Sequence, residues 1–293
     1  MIKKINAEAR QLIEKNTGAG LNMCWGCSSC DTECPMNIST NRLRPQKIVH
    51  LAYTGMWDEM VYAPEIWYCL TCRRCNQVCP NLVKPADIMS YARMEALRNG
   101  VVSHEQLQIY FDLFAKFQRV RWHAASLSLN GNISKINADQ WMNWFETQVK
   151  IPAGIISRNN LLEVNDNYSA LSADTKSTMC FTCGECSSAC PISGSPNVFD
   201  PRFIFRMANL GMLNEIMSSP SIWLCLDCGR CTEACSQKVD GREIIRDLKK
   251  MAIQNGVVAN DITSRIQDAN YFIYKRFLDE IDMVFRYPVK AVA

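Results

Sequence analysis

The sequence predicts a mainly α-helical protein of 293 residues that is built as a tandem of two similar halves. Two observations support this prediction. The apolar residues of the longer segments recur at spacings of three and four residues, which is typical of helices that bury one face. The cysteines recur in four patterns of identical spacing, and the last two patterns repeat the first two at an offset of 156 residues, since Cys24 corresponds to Cys180 and Cys69 to Cys225.

Each cysteine pattern has the form Cys-x2-Cys-x2-Cys-x3-Cys, and the four copies contain all 16 cysteines of the chain. A proline follows the fourth cysteine in the first three copies, whereas Ser236 follows it in the last copy. This spacing is typical of proteins that bind [4Fe–4S] clusters. Three cysteines of one loop surround one face of a cubane cluster, and the fourth cysteine points away from that loop.

In two-cluster ferredoxins the fourth cysteine ligates the other cluster, so that the motifs act in pairs. We therefore predict four [4Fe–4S] clusters, which are held as two pairs by motifs that exchange their fourth cysteines. The predicted ligand sets are Cys24, Cys27, Cys30 and Cys79; Cys69, Cys72, Cys75 and Cys34; Cys180, Cys183, Cys186 and Cys235; and Cys225, Cys228, Cys231 and Cys190.

The cysteines have three alternative roles. Structural zinc prefers two separated Cys-x2-Cys pairs around one ion, which leaves the third and fourth cysteines of each motif without a consistent role. Disulfides require an oxidising compartment, and the N-terminus does not resemble a secretory signal. Clusters that only brace the fold are the strongest alternative, but their arrangement in adjacent pairs favours electron transfer.

Helices are predicted between the motifs of the first half. A helix over residues 4–16 leads to the first motif, and a second helix ends at Gly55. A shorter helical segment ends before Pro64, and a further helix begins near Pro85 and is capped by Asn99 and Gly100. The same helix-start and helix-end residues recur 156 residues later in the second half, without a gap over some 80 residues. We interpret this repetition as an internal duplication.

Three segments are predicted along the chain. Residues 1–102 form a first two-cluster domain, residues 103–175 form a helical and aromatic-rich connection, and residues 176–293 form a second two-cluster domain with a C-terminal helix. Ser103 is predicted to cap a helix that runs to about residue 125. The predicted inner side of that helix carries Leu107, Tyr110, Phe111, Phe114, Phe117 and Val120, and a second aromatic cluster comprises Trp141, Trp144 and Phe145.

The residues resemble a known family. The motif Cys-x2-Cys-x2-Cys-x3-Cys-Pro, the helix PRFIFRMANLGM and the stretch SIWLCLDCGRC look like the iron–sulfur C subunit of heterodisulfide reductase. They are similar more broadly to the helical two-cluster ferredoxin domain of glycerol-3-phosphate and succinate dehydrogenase iron–sulfur subunits. The resemblance covers residues 20–102 and 176–258. It implies two tandem helical ferredoxin-like domains, each organised around two [4Fe–4S] clusters.

The resemblance also implies the function of a relay subunit, which passes electrons between a flavin-bearing subunit and a Cys-Cys-Gly subunit that reacts with a disulfide or sulfur substrate. The ordinary C subunit of the family has one such domain, whereas this chain has two. The chain contains no Cys-Cys-Gly sequence, so the substrate site is expected on a partner and this chain has no catalytic residue of its own. The alternative is an iron–sulfur relay of a dehydrogenase that delivers electrons to a quinone-reducing membrane partner.

Composition excludes several other classes of function. The formal net charge of +3 is small, and the sequence contains no concentrated basic stripe, so nucleic-acid binding is not expected. No apolar run approaches the roughly 18–20 residues that span a bilayer. A reducing compartment suits free cluster thiolates. We therefore expect a cytoplasmic protein.

Overall fold

The computed structural model describes residues 5–131, 171–193 and 198–286, and within these ranges it contains helices but no β-strand. The helices of the first half are α1 Ala7–Thr17, α2 Ser29–Thr32, α3 Pro35–Thr40, α4 Pro45–Thr54, α5 Trp57–Val61, α6 Glu65–Tyr68, α7 Arg74–Val78, α8 Pro85–Arg98 and α9 His104–Leu129. Those of the second half are α10 Glu185–Ala189, α11 Pro201–Asn209, α12 Leu213–Met217, α13 Arg230–Glu233, α14 Gly241–Gln254 and α15 Ile262–Val284. Short 3₁₀ turns occupy Leu21–Met23, Ala173–Thr175, Ser177–Met179 and Pro220–Leu224. The predicted mainly helical class is confirmed.

The chain divides into two compact units. Unit 1 consists of Met1–Leu113 together with Tyr274–Ala293, and unit 2 consists of Phe114–Ile273. The boundaries therefore fall inside the long helices α9 and α15, and each unit contains one pair of cysteine motifs. The predicted limits after residues 102 and 175 stay a prediction.

In unit 1, helix α4 packs against α1 and α8. The helix begins at Pro45 and ends at Gly55, whose φ of 67° lies in the left-handed region that favours glycine. A Cβ added to Gly55 would lie 2.0 Å from the backbone oxygen of Asn6. The backbone N–H of Asn6 donates a hydrogen bond to the carbonyl oxygen of Thr54, 3.0 Å away. This close approach holds the start of α1 against the end of α4.

The C-terminal segment of unit 1 packs beside the residues that lead into the second cysteine motif. The ring of Phe285 stacks on that of Trp67, with 4.4 Å between their centroids and 15° between their planes. The hydroxyl of Tyr68 donates a hydrogen bond to Asp282, which lies 214 residues further along the chain. Asp282 also forms an ion pair with Arg42. The second motif is thus supported by residues from both ends of the sequence.

In unit 2, helices α11, α12 and α14 pack against one another as the corresponding helices α4, α5 and α8 do in unit 1. Gly241 opens α14 at a point of close contact, because an added Cβ would lie 2.4 Å from the ring of Phe205 and 3.0 Å from the Sγ of Cys231. The indole N–H of Trp122 donates a hydrogen bond of 3.2 Å to the hydroxyl of Ser221. Helix α14 spans the residues that correspond to α8, as the duplication predicts.

The middle helix α9 differs in part from the prediction. Ser103 caps it as predicted, since the Ser103 hydroxyl accepts a 3.1 Å hydrogen bond from the backbone N–H of the third residue that follows. The helix extends to residue 129 rather than 125. Tyr110, Phe117 and Val120 are buried as predicted, but the placement of Phe111 on the inner side is wrong, because its ring is exposed.

The predicted aromatic cluster at Trp141, Trp144 and Phe145 lies outside the described residues. In the part of the chain that the structure describes, no helix combines the length and the apolar character that crossing a bilayer requires.

Candidate metal centres

The four cysteine loops share one backbone conformation. In each loop, the residues on both sides of the second cysteine have positive φ angles between 54° and 95°. These residues are Gly26 and Ser28, Thr71 and Arg73, Thr182 and Gly184, and Asp227 and Gly229. Successive residues of this kind turn backbone N–H groups toward a common concavity. The loops therefore form four similar nests for a group that carries negative charge.

A short helix follows each nest and contains the third cysteine, and the fourth cysteine lies beyond the end of this helix. In the first motif this helix is α2, and Cys34 follows it with an extended backbone, at φ −76° and ψ 116°. Pro35 then begins α3, because proline suits the first helical position. The fourth cysteines Cys79 and Cys190 have the same extended backbone. This change of direction lets each fourth cysteine point toward a loop other than its own.

Three cavities that are partly open to solvent are lined by cysteines of two motifs. Their thiols are those of Cys24, Cys27, Cys30 and Cys79 in the first; Cys180, Cys183, Cys186 and Cys235, together with Cys231, in the second; and Cys190, Cys225, Cys228 and Cys231 in the third. Each cavity thus combines three thiols of one motif with the fourth thiol of its neighbour.

The remaining set of thiols is brought together around Cys34. Burial raises the pKa of the Cys34 thiol to about 12, and the nearby Cys69 and Cys72 thiolates add to the increase. Burial likewise raises the pKa of Cys75, with contributions from Cys69, Cys72 and Cys34. The fourth cysteine of the first motif therefore lies among the first three of the second motif.

The two thiol sets of each unit are neighbours. Besides its own set, Cys75 interacts electrostatically with Cys30 in unit 1. Cys231 interacts in the same way with Cys186 in unit 2. Since interactions between single charges fade within about 10 Å in salt solution, the sites of each pair lie close enough to influence one another.

Backbone N–H groups donate hydrogen bonds to several ligand sulfurs. The first cysteines of the second and fourth motifs, Cys69 and Cys225, accept from the amides two residues later at 3.3 and 3.4 Å. The fourth cysteines of the same motifs, Cys79 and Cys235, accept from the amides of Val83 and Val239, both at 3.4 Å. Such donors favour the thiolate over the thiol and tune the potential of a bound cluster.

Burial disfavours ionisation of several of these thiols. Burial raises the pKa of Cys30 to about 12. It raises the pKa of Cys190 to the same value, about 12, and the Cys228 and Cys225 thiolates contribute. The exposed Cys27 differs, because the hydroxyl of Ser29 lowers its pKa. Only bound cations can ionise four crowded thiols together, so the donor chemistry fits an iron–sulfur cluster.

Zinc is the main alternative occupant of four-thiol sites, and it requires ligands close enough to contact one ion. Among the residues that the structure describes, no group of three His, Cys, Asp or Glu side chains has that spacing. The thiols instead line open cavities between paired motifs. This wider spacing is compatible with a multi-atom cluster.

Charged residues pair around the second motif of each unit. In unit 2, Asp227 accepts two hydrogen bonds from each of Arg242 and Arg246, with distances of 2.7–3.1 Å. Although burial opposes ionisation, these bonds hold the pKa of Asp227 well below its usual range. In unit 1 the loop arginine Arg73 pairs with Asp87 of α8. Both arrangements tie a cysteine loop to the helix that follows it.

The sequence did not reveal all features of these sites. Glycine marks only Gly26, Gly184 and Gly229 among the eight left-handed positions, and a non-glycine residue occupies the other five. No pattern indicated how the cysteines divide between the surface and the interior. The exposed cysteines, all in the first motif of a unit, are Cys24, Cys27 and Cys183, and the buried ones are Cys34, Cys69, Cys72, Cys75 and Cys228.

Two regions of the chain, residues 19–83 and 176–239, match the family model of the 4Fe-4S dicluster domain. Each region contains two complete cysteine motifs together with the helices between them. The two matched regions lie 157 and 156 residues apart at their starts and ends, close to the offset of 156 residues at which the cysteine motifs repeat. No solved structure gives a significant match to this chain.

Part of the chain is also similar to curated proteins. The C subunit of the H(2):CoB-CoM heterodisulfide,ferredoxin reductase of Methanothermobacter thermautotrophicus is 34% identical over 99 residues, which are 34% of this chain and 53% of that protein. The iron-sulfur C subunit of the CoB--CoM heterodisulfide reductase of Methanopyrus kandleri is 31% identical over 102 residues, which are 35% of this chain and 53% of that protein. The chain spans about half the length of the curated relatives it matches. The chain therefore has two regions that match the 4Fe-4S dicluster domain model, and part of it is similar to the C subunits of heterodisulfide reductases.

Proposed function

We propose that this protein is the electron-transfer subunit of a heterodisulfide reductase-like complex. It carries four [4Fe–4S] clusters and relays electrons between a flavin-bearing subunit and a Cys-Cys-Gly subunit. The observation that carries the proposal is the presence, in each unit, of two adjacent four-thiol sites. Adjacent redox centres serve a relay, whereas a cluster that braces a fold needs no neighbour. The names of the curated relatives support the type of complex.

The proposed ligand sets are those in which paired motifs exchange their fourth cysteines. The cavity linings support the sets that contain Cys79, Cys235 and Cys190. The interactions of Cys34 with the second motif support the remaining set. Each pair of clusters would be held by two interlocked loops, so that the loss of one fourth cysteine damages the cluster of the neighbouring motif.

The residues of the chain have three roles in this function. Their thiolates hold the clusters, and the amides of Val83 and Val239 donate to ligand sulfur. When bound, a cluster supplies one-electron redox chemistry. The second motif of unit 1 excludes water, because its cysteines Cys69, Cys72 and Cys75 are buried. Low solvent access and hydrogen bonds to sulfur are two of the properties by which a protein sets the reduction potential of a cluster.

The reaction with substrate is assigned to a partner. The sequence contains no Cys-Cys-Gly motif and no Gly-x-Gly-x-x-Gly stretch, so it offers neither the expected disulfide-reacting motif nor a typical dinucleotide loop. Purification of the native protein with its partners tests this assignment. A flavoprotein and a Cys-Cys-Gly protein are expected to co-purify, and a quinone-reducing membrane dehydrogenase in their place would support the alternative relay.

Cluster content and ligand exchange are tested together. Anaerobically purified protein is expected to contain about 16 irons per chain with matching sulfide, and its reduced clusters should show magnetic coupling by EPR. Cys79→Ser should give the same altered spectrum as Cys24→Ser, because both residues are proposed to ligate one cluster. Cys75→Ser is the matched control and should give a different spectrum. If Cys79→Ser resembles Cys75→Ser instead, the exchange of ligands is wrong.

A further inference from the structure

The duplication provides an internal comparison of the residue that follows the first cysteine of each motif. In the first motif of each unit this residue is aromatic and exposed, with Trp25 at 75% and Phe181 at 60% of its surface accessible. In the second motif of each unit it is leucine and buried, with Leu70 at 2% and Leu226 at 7%. Both units thus present one cysteine loop outward and keep the other inside.

Unit 1 surrounds its outward loop with further exposed apolar side chains. Met23 precedes the loop and is exposed. Leu82, close to the fourth cysteine of the same ligand set, is exposed as well. The side-chain amide of Asn81 donates a 2.7 Å hydrogen bond to the carbonyl oxygen of Met23, which holds these two segments together. We call Met23, Trp25 and Leu82 the loop patch.

A basic cleft continues from the loop patch on one side. It is lined by Cys24 and Gly26 of the loop and by polar and aromatic residues of α4 and the residue before it, namely Arg44, Gln46, Lys47, His50 and Tyr53. Arg44 pairs with Asp31 at 3.2 Å, and Lys47 pairs with Glu65. Asp31 is buried and Glu65 is half-buried, whereas the side chains of both cations are more than half exposed. The cations therefore form the outer layer of the cleft.

Unit 2 does not reproduce this rim. At the positions that correspond to Arg44, Lys47 and Leu82 it has Asp200, Phe203 and Lys238. Both units expose an aromatic residue at the centre of the outward face, but the charged residues around it differ. This difference fits two different partners, because charges at the rim of an interface steer association and select the partner.

We propose that the loop patch and the basic cleft of unit 1 dock a small electron-transfer protein whose own redox centre is bordered by acidic residues. This inference rests on the proposed relay function and adds to it a surface at which a small carrier exchanges electrons with the chain. Trp25 is the anchor, since an aromatic side chain surrounded by less important contacts is the usual centre of a binding surface. Arg44 and Lys47 supply the charge that complements the acidic border. One electron passes between the partner and the chain, so that one is oxidised as the other is reduced and no bond is formed.

The test measures binding of the loaded protein to an acidic plant-type ferredoxin, by calorimetry and stopped-flow mixing at several salt concentrations. Trp25→Ala should weaken binding at least about tenfold. Lys47→Gln should slow association about two- to fivefold and reduce its dependence on salt. Phe181→Ala, the matched variant in unit 2, should change binding by less than about twofold. Iron content identical to that of the unchanged protein excludes loss of clusters as the cause.

The outcomes separate this inference from the proposed function. Reduction by dithionite tests the relay itself, because it requires redox-active clusters and no docking surface. Clusters that accept electrons from dithionite, together with no salt-dependent binding of the ferredoxin, would overturn the inference and leave the relay standing. Equal effects of Trp25→Ala and Phe181→Ala would also overturn it. Sedimentation of the chain alone identifies the competing occupant, since a dimer that Trp25→Ala dissociates would assign the loop patch to a second copy of the chain.

Discussion

Replacement of Phe285 by alanine is expected to destabilise unit 1 and the second cysteine motif. The ring is 2% exposed and stacks on Trp67 at 4.4 Å, and it also lies 5.9 Å from the ring of Tyr110. Truncation of a buried Phe costs about 3–5 kcal/mol, and loss of aromatic pairing contributes to that cost. For Phe285, which has two aromatic neighbours, we expect a loss of unfolding free energy of about 4 kcal/mol, in the middle of this range. Domains of this size have total stabilities of about 5–15 kcal/mol, so the loss is large.

The assay is anaerobic urea unfolding of the cluster-loaded protein, followed by circular dichroism and by cluster absorbance. Met283 lies two residues earlier, in the last turn of α15, and is more than half exposed. Met283→Ala is therefore the matched control, with an expected change within about 0.5 kcal/mol. Phe285→Leu should recover part of the loss because it refills much of the cavity. If Phe285→Ala and Met283→Ala unfold alike, the C-terminal segment does not support the motif as argued.

Two further changes test the backbone and the charges. Gly55→Ala should cost about 2–4 kcal/mol in thermal unfolding, because the new Cβ would lie 2.0 Å from the backbone oxygen of Asn6. The control is Gly100→Ala, which has the same φ of 67° but lies in open space and should cost clearly less. Equal costs would refute the steric argument. Asp227→Asn should cost about 1–2 kcal/mol in the same assay, a value reduced for partial exposure, since it removes the charge that binds two arginines of Gly241–Gln254. The pKa of Asp227 is lowered, so the stability that its charge contributes is present above the ordinary pKa of 3.8 and is lost only at lower pH. The difference in stability between Asp227→Asn and the unchanged protein should therefore stay constant between about pH 5 and pH 8. A steep pH dependence in that range would contradict the role of the Asp227 charge.

The helices were predictable because their signals are local. Pro45, Gly55 and Pro85 mark helix ends through their own backbone preferences, and the duplication repeats these signals in the second half. The motif spacing was informative for a similar reason, since a cluster loop is short and its ligands are close in sequence. A structural feature that depends on residues close together in the chain can be predicted from a single sequence.

The support of the second motif was not predictable. Trp67 and Phe285 stack on each other although they lie far apart in the sequence, and no local pattern pairs them. The sequence also placed Phe111 inside on periodicity alone, although the structure leaves it exposed. Helical periodicity predicts which residues share a face but does not state how wide the buried part of that face is.

The five non-glycine residues in left-handed backbone at the cysteine loops indicate why the folding of these loops is coupled to their cofactor. They are Ser28, Thr71, Arg73, Thr182 and Asp227. Each costs roughly 1–2 kcal/mol relative to a right-handed backbone, and burial adds the cost of ionising the crowded thiols. The ion pairs of Arg73 and Asp227 offset part of these costs, and metal–thiolate bonds would contribute more, about 10 kcal/mol or more at a structural metal site. We therefore expect the proposed clusters to stabilise the loops in this conformation, and the same backbone directs the N–H groups of Thr71 and Asp227 at cysteine sulfur. Strain in the loop backbone and tuning of the cluster are in this way two consequences of one arrangement.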